Sequence, residues 1–430
     1  MSETLKFGNG QWATKEGSTL AYNDEGGNFK PLPFNFTRST GGTRVNKDGL
    51  IEVVTNNKPR IDFKDDSDGA LLLEPQRTNL IQYSEDFSQG YWSKSRATIL
   101  SNQTISPDGT LTADLLTITD TPENYAQTNV SVTVSGAIQT VSCFVKKGTN
   151  DFAHILLWDT SSNGSRQWFD VNNGTVGSSS IFGSGISVNS ASIENYGNGW
   201  FRCIVVFNCS LTSVRTRISA SNGDSQTNGT IGKTIFIWGY QLESNSSYAT
   251  SYIPTQGAIS TRVAESCIQT PPSGIIGQTE GTLFFQSKIN AQQTFAGFSL
   301  SDNTTNNEII VRFTTQDRIE YYLRSGGTQP IGGGTTAFDT DEYVKVAFAY
   351  KSGDSAFYVN GVQVTTNSTT TMPLNLISLK MSRGNNTGVF DGKTKDLKIY
   401  NTRLSNFDLE TLTSWRSFNE MANALQYTIE

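Results

Sequence analysis

Trp200-Phe201-Arg202-Cys203-Ile204-Val205-Val206-Phe207 is apolar on both of its alternating faces. Trp200, Ile204 and Val206 share one face with Arg202, while Phe201, Cys203, Val205 and Phe207 share the other. A period of two without a polar side describes a strand covered on both faces, as in a layered β-sandwich. The flanking sequence repeats the pattern. Val141, Cys143 and Val145 align within Thr140–Val145, and Phe236, Trp238, Tyr240 and Leu242 align within Thr234–Leu242. Between such runs lie turn clusters, Ser161-Ser162-Asn163-Gly164 and Ser221-Asn222-Gly223-Asp224. Many short strands with turn chemistry between them predict a sandwich over residues 81–262.

Residues 263–278 include Pro271-Pro272-Ser273-Gly274, lack periodicity and read as a linker. A second β pattern fills 279–430. It includes Val344–Tyr350 and a hairpin at Asn360-Gly361, a strong two-residue turn signal. Ser405-Asn406-Phe407-Asp408 opens one late helix with a capping box in which Asp replaces Glu. Residues 1–80 are rich in Gly, Asn and Asp and read as an irregular N-terminal attachment region. The expected fold class is all-β: two jelly-roll-like sandwiches in tandem, an irregular N-terminal region and one C-terminal helix.

Composition narrows the function. With 33 Lys and Arg against 39 Asp and Glu, the net charge is −6, and no cationic run exceeds two residues. Nucleic-acid binding needs clustered cations that release counterions, so DNA and RNA are excluded as expected partners. Met1-Ser2-Glu3-Thr4 has neither a basic region nor an apolar stretch, and no window approaches the roughly 20 apolar residues of a membrane span. Folding in a cytoplasm without membrane insertion is the expectation. The four cysteines lack metal-ligand spacing, and free core cysteines are expected rather than disulfides.

Thr43–Glu52, Pro59-Arg60-Ile61-Asp62 and Leu71-Leu72-Leu73-Glu74-Pro75-Gln76-Arg77-Thr78-Asn79-Leu80 resemble a signature of bacteriophage tail and virion structural proteins. Tyr83-Ser84-Glu85-Asp86-Phe87, Gly197–Cys203, Trp238-Gly239-Tyr240-Gln241-Leu242-Glu243 and Thr250–Thr255 look like the carbohydrate-binding-module-like domain of those proteins. Gly281-Thr282-Leu283-Phe284, Tyr358-Val359-Asn360-Gly361 and Phe390-Asp391-Gly392 are similar to laminin-G/concanavalin A-like lectin domains. The resemblance implies an exposed virion component, such as a tail fibre, made in the host cytoplasm. It would join other virion proteins through its N-terminal region, assemble as a homotrimer and bind host surface polysaccharide.

Single residues refine that expectation. A sugar binder needs flat rings for pyranose faces and polar groups for hydroxyls. Trp158 and Trp168 bracket a polar segment holding Asp159, Asn163 and Arg166, and these weigh as glycan contacts against plain packing. Tyr321 and Tyr322 are neighbours on a strand, so one must leave the core. Asp391, with Asn385 and Asn386, is a candidate Ca²⁺ ligand set, weighed against an ordinary Gly-containing turn. His154 is the only histidine and is expected to be structural. Neighbouring acids, among them Asp339, Asp341 and Glu342, leave a polysaccharide hydrolase as the lesser alternative. No enzyme activity is expected. A purely structural capsid or tail decoration is the other rival.

Overall fold

The computed structural model describes residues 3–291, 295–315, 317–425 and 427–429. Met1 and Ser2, part of the N-terminal reading, lie outside these. The all-β expectation holds: strands fill both halves, and the helices are Asn406–Thr413 and Phe418–Ala424. The second is a separate helix, capped by Ser417, that the sequence reading did not expect; the first starts as expected at Ser405, whose hydroxyl accepts from the Asp408 backbone N–H at 3.1 Å. Among the described residues no helix is long and apolar enough to cross a membrane.

The chain forms two units whose boundaries differ from the sequence reading. The terminal unit comprises Met1–Gly41, Val54–Pro75 and Val263–Glu430, and the middle unit comprises Gly42–Val53 and Gln76–Arg262. Residues 1–80 are therefore not a separate attachment region. Leu5–Gly8 pairs with Gly392–Tyr400, which also pairs with Ala70–Leu73. Leu5, Phe7, Leu71 and Leu73 are buried in the same core as Leu397 and Ile399. Local composition hid this because both early strands are short and their shared partner lies more than 300 residues away.

The segment 263–278 is likewise no free linker. Ser266–Gln269 pairs with Phe34–Thr37 and with Ser378–Lys380. Just before it, Glu265 is fully enclosed and accepts from Arg38 Nη1 at 2.6 Å and Arg60 Nε at 2.8 Å. Arg60 also donates to Glu74 at 2.7 Å. Burial alone would weaken the Arg60 charge, but Glu265 and Glu74 hold it protonated. Two arginines and two glutamates thus neutralise one another in the terminal unit, where an unpaired charge would cost several kcal/mol, roughly 3–5. The core of this unit lies between a ten-stranded and a nine-stranded sheet. Leu409 packs with Phe284, Ala347 and Tyr358 on the other face of the ten-stranded sheet.

The middle unit is a sandwich of a seven-stranded and a six-stranded sheet. Cys203, Val205 and Phe207 enter its core, while Trp200 packs with Val45, Ile51, Phe144 and Trp238 on the opposite side. The hairpin of Gly42–Val45 and Ile51–Val54 provides that second cover. The two-sided apolarity of the strand is thereby explained. All four cysteines are free and buried.

Candidate functional site

The seven-stranded sheet runs in the order Trp92–Ser95, Tyr125–Thr128, Ser213–Ser221, Phe152–Trp158, Gly164–Asp170 and Thr175–Phe182, with Val132–Thr133 pairing Ser213–Ser221. Ala153, Ile155 and Leu157 point into the core, as do Ile218 and Ala220. Strict alternation sends His154, Leu156 and Trp158 to the outer face. Residues directly opposite in antiparallel strands share a face, so register defines two rows there. Leu156 lies opposite both Arg166 and Arg217, and Arg217 lies opposite Gln127. Trp158 lies opposite Gly164 and Arg215. A Cβ at Gly164 would come within 2.7 Å of Trp158 Cβ and 2.5 Å of the Phe182 ring, so only glycine lets these two side chains share the surface.

The Arg217 guanidinium is clasped between rings, 4.2 Å from the centroid of Tyr125 and 4.7 Å from that of Trp158. Both rings are half-buried, and Trp158 Nε1 donates to Gln127 Oε1 at 2.9 Å. Arg217 Nη1 donates to Glu123 Oε2 at 3.0 Å, and Arg166 Nη1 lies 3.6 Å from Glu123 Oε1. His154 Nε2 is 3.4 Å from that same Oε1, and neither atom has another hydrogen-bond partner. Burial would raise the Glu123 carboxyl, but His154 and the two arginines outweigh it and bring it down to about 2. Burial pushes His154 down toward its neutral form. Glu123 is therefore an ionised carboxylate fixed between cations.

Three guanidinium groups retain unused donors. The Nε atoms of Arg166, Arg215 and Arg217 are buried without hydrogen-bond partners. The terminal unit offers a contrast. A groove of about 790 Å³ beneath its helices is lined by Lys345, Lys395 and Lys398. There Lys345 donates to the Ser414 carbonyl at 2.9 Å, Lys395 pairs with Asp66, and Lys398 pairs with Asp396.

The residues singled out by sequence fall into different places. Trp158 and Arg166 are on the face just described. Trp168 is only 2 % exposed, donates from Nε1 to the Gln226 carbonyl at 2.6 Å and packs beside His154. It buttresses the face. Asp159 is consumed by its own turn, accepting from the backbone N–H groups of Ser161, Ser162 and Asn163 at 2.9, 3.1 and 3.1 Å. In the terminal unit Tyr321 enters the core, stacked on Phe357 at 4.4 Å. Tyr322 turns outward, where its hydroxyl donates to Glu320 and accepts from Arg312. Asp391 is buried and accepts from Asn290 at 2.8 Å, while Asn386 Oδ1 accepts from the Lys380 ammonium at 2.9 Å. These side chains have separate partners, one of them a cation, and do not fit a shared Ca²⁺. Among the described residues the carboxylates of Asp317, Asp339 and Asp341 do converge, with oxygens within 4.8 Å of one another.

Sequence reading missed Glu123, Tyr125, Gln127, Arg215 and Arg217. A signal existed in Ser213–Ser221, where Arg215, Arg217, Ser219 and Ser221 alternate with Val214, Thr216, Ile218 and Ala220. That alternation places two arginines side by side on one face.

Residues 266–409 match a family described as the concanavalin A-like lectin/glucanases superfamily. The terminal unit thus contains a lectin-like domain. No curated protein sequence matches the chain significantly. Among solved structures, the CBM40 of Ruminococcus gnavus IT-sialidase bound to α2,3-sialyllactose is 15% identical with a TM-score of 0.30, covering 32% of this chain and 84% of that one. The NanB sialidase of Streptococcus pneumoniae is 16% identical with a TM-score of 0.29, covering 32% of this chain and 25% of that one. The binding domain of botulinum neurotoxin DC, in complex with rat synaptotagmin II, is 14% identical with a TM-score of 0.30, covering 35% of this chain and 40% of that one. Likenesses at this level carry no inference about the ligand of this chain.

Proposed function

We propose that this chain is a non-enzymatic glycan-binding protein displayed on a bacteriophage virion, with the outer face of the middle unit as its sugar platform. The observation that carries this reading is the layered arrangement of Tyr125, Arg217 and Trp158, in which two half-buried rings are fixed by a guanidinium between them. A pyranose needs a rigid ring to stack on and donors beside it. Here the ring is oriented by Gln127, and Arg215 projects next to it. Placement on a phage particle rests on the motif resemblance from Thr43 to Thr255. Because residues 3–41 are built into the terminal sandwich, docking to other virion proteins would use a surface of that unit and not a loose N-terminal arm.

Binding is favoured over hydrolysis by the chemistry of Glu123. Glycoside hydrolysis uses two carboxyl groups about 5–10 Å apart, one of them able to hold a proton. Glu123 is held ionised by its arginines, and His154 is fully buried. Weak sites repeated over a trimer and over the particle would gain strength by avidity.

The test is retention of the intact protein on host cells and on host-derived polysaccharides, with reducing ends followed. Saturable binding without new reducing ends, lost in Trp158→Ala, supports the reading. Release of reducing ends would make the protein a hydrolase. Absence of binding at every density would leave a structural decoration, and a monomer mass on the particle would remove the trimer.

A further inference from the structure

Among the arginines around Trp158, one is left without any ionic partner. Arg166 and Arg217 both face Glu123, whereas the Arg215 side chain makes no ion pair, hydrogen bond or ring contact among the described residues. It is half-buried and stands opposite Trp158 in register, two residues from Arg217 on the same strand. Side chains i and i+2 on a strand lie about 7 Å apart on one face, so Arg215 and Arg217 border the same patch. Other acids at the sheet margins keep their charge but are held by hydrogen bonds of their own. Asp170 caps its own turn through Asn172 and Asn173, and Asp224 holds Ser178. Around Trp158, among the described residues, three guanidinium groups therefore meet two carboxylates, Glu123 between Arg166 and Arg217 and Asp159 bound within its own turn.

We infer that this face takes an acidic sugar, a residue bearing a carboxylate, which lies against Trp158 and receives the guanidinium of Arg215. This rests on the glycan-binding reading above and specifies its ligand class. Four observations carry it. The positive patch sits on a chain of net charge −6 whose sequence has no cationic run longer than two residues. Arg217 is only 6 % exposed, and its buried Nε is a donor left over once Nη1 has met Glu123. Glu123 already shows the geometry by which this face holds a carboxylate, one oxygen toward Arg217 and the other toward Arg166. Arg215 repeats the donor without the acceptor. A planar guanidinium fork matches a planar carboxylate in paired, parallel hydrogen bonds, and a neighbouring ring supplies the stacking surface for the sugar.

The experiment uses the full chain on immobilised polygalacturonate, hyaluronan and polysialic acid, each beside its carboxyl-reduced form. Dextran sulfate and neutral host polysaccharides complete the panel. The expected result is saturable retention on at least one carboxylated polymer, at least about tenfold weaker on its reduced form and weaker still in 0.5 M than in 0.05 M salt. Arg215→Gln should lose about tenfold on that polymer with an unchanged melting temperature, because among the described residues Arg215 has no side-chain ion pair or hydrogen bond to lose. Equal retention on reduced and unreduced polymer would overturn the acidic ligand while leaving glycan binding intact. So would retention on neutral polysaccharides alone, or on dextran sulfate alone. Failure on every polysaccharide would remove both readings together.

Discussion

Arg217 and Trp158 are stacked, the guanidinium carbon 4.7 Å from the indole centroid, on strands that pair directly in the outer face of the middle unit. This relationship fixes a ring that would otherwise move. It also distinguishes two tryptophans that look alike in sequence. Trp158 is half-buried with one ring surface held by a cation, whereas Trp168 is enclosed.

The two should therefore respond differently to truncation. Trp158→Ala is expected to weaken glycan binding about tenfold, equivalent to about 1.4 kcal/mol. Trp168→Phe should lower the melting temperature, through the lost hydrogen bond to the Gln226 carbonyl, and leave the affinity of the folded protein within about twofold. Calorimetric titration beside thermal unfolding separates them. Loss of affinity in both, at equal melting temperature, would mean that the sugar reaches Trp168.

The terminal unit makes a sharper stability prediction. Glu265→Gln removes the carboxylate shared by Arg38 and Arg60 and leaves buried positive charge behind. The expected loss is about 3–5 kcal/mol. Removing the whole cluster, with Arg38→Met, Arg60→Met, Glu74→Gln and Glu265→Leu together, should restore most of it, since no buried charge then lacks a partner. Denaturant unfolding of both variants checks this, and a quadruple variant as unstable as the single one would contradict it.

That cluster also shows why part of the fold was legible and part was not. The alternation in Trp200–Phe207 and Thr234–Leu242 is local, and it gave a sandwich with its core correctly placed. The partnership of Arg60 and Glu74 with Glu265 spans about 190–205 residues, and no local pattern carries it. The conspicuous motifs proved to be framework. Asn79 is fully buried, donating to the Tyr240 and Ile253 carbonyls and accepting from the Ile81 and Leu242 N–H groups. Gln241 and Glu243 likewise hold Ile253 and Thr250. The candidate site is assembled from neighbours across strands. Trp158 and Arg166 were visible as residue types, but Tyr125 and Arg217 acquire meaning only through register.

Glu123 gives the middle unit a pH dependence whose sign is fixed. Its folded value of about 2 lies below the roughly 4.3 of an unfolded glutamate. The stabilisation is therefore complete above about pH 4.5 and is lost as pH falls through the folded value near 2. The groups facing it are His154, Arg166 and Arg217, of which the arginines stay charged throughout. Glu123→Gln should lie about 3 kcal/mol below the native protein at pH 7. The gap should close between pH 4.5 and 2. A gap of constant size down to pH 2.5 would show that the carboxylate is not held by these cations.

Divalent cations supply the last discrimination. The face around Trp158 recognises its ligand through guanidinium groups and a ring, and its carboxylate Glu123 is already shared between arginines. A bridging metal would need acidic ligands on that surface, and Glu123 has no oxygen to give without abandoning Arg217 or Arg166. Chelation with EDTA is thus expected to leave glycan affinity within about twofold, and added Ca²⁺ should not raise it. The acids that do converge, Asp317, Asp339 and Asp341, belong to the terminal unit. Binding that vanished in EDTA and returned with Ca²⁺ would move the sugar site to that unit. Asp339→Asn would then abolish binding while Arg215→Gln left it unchanged.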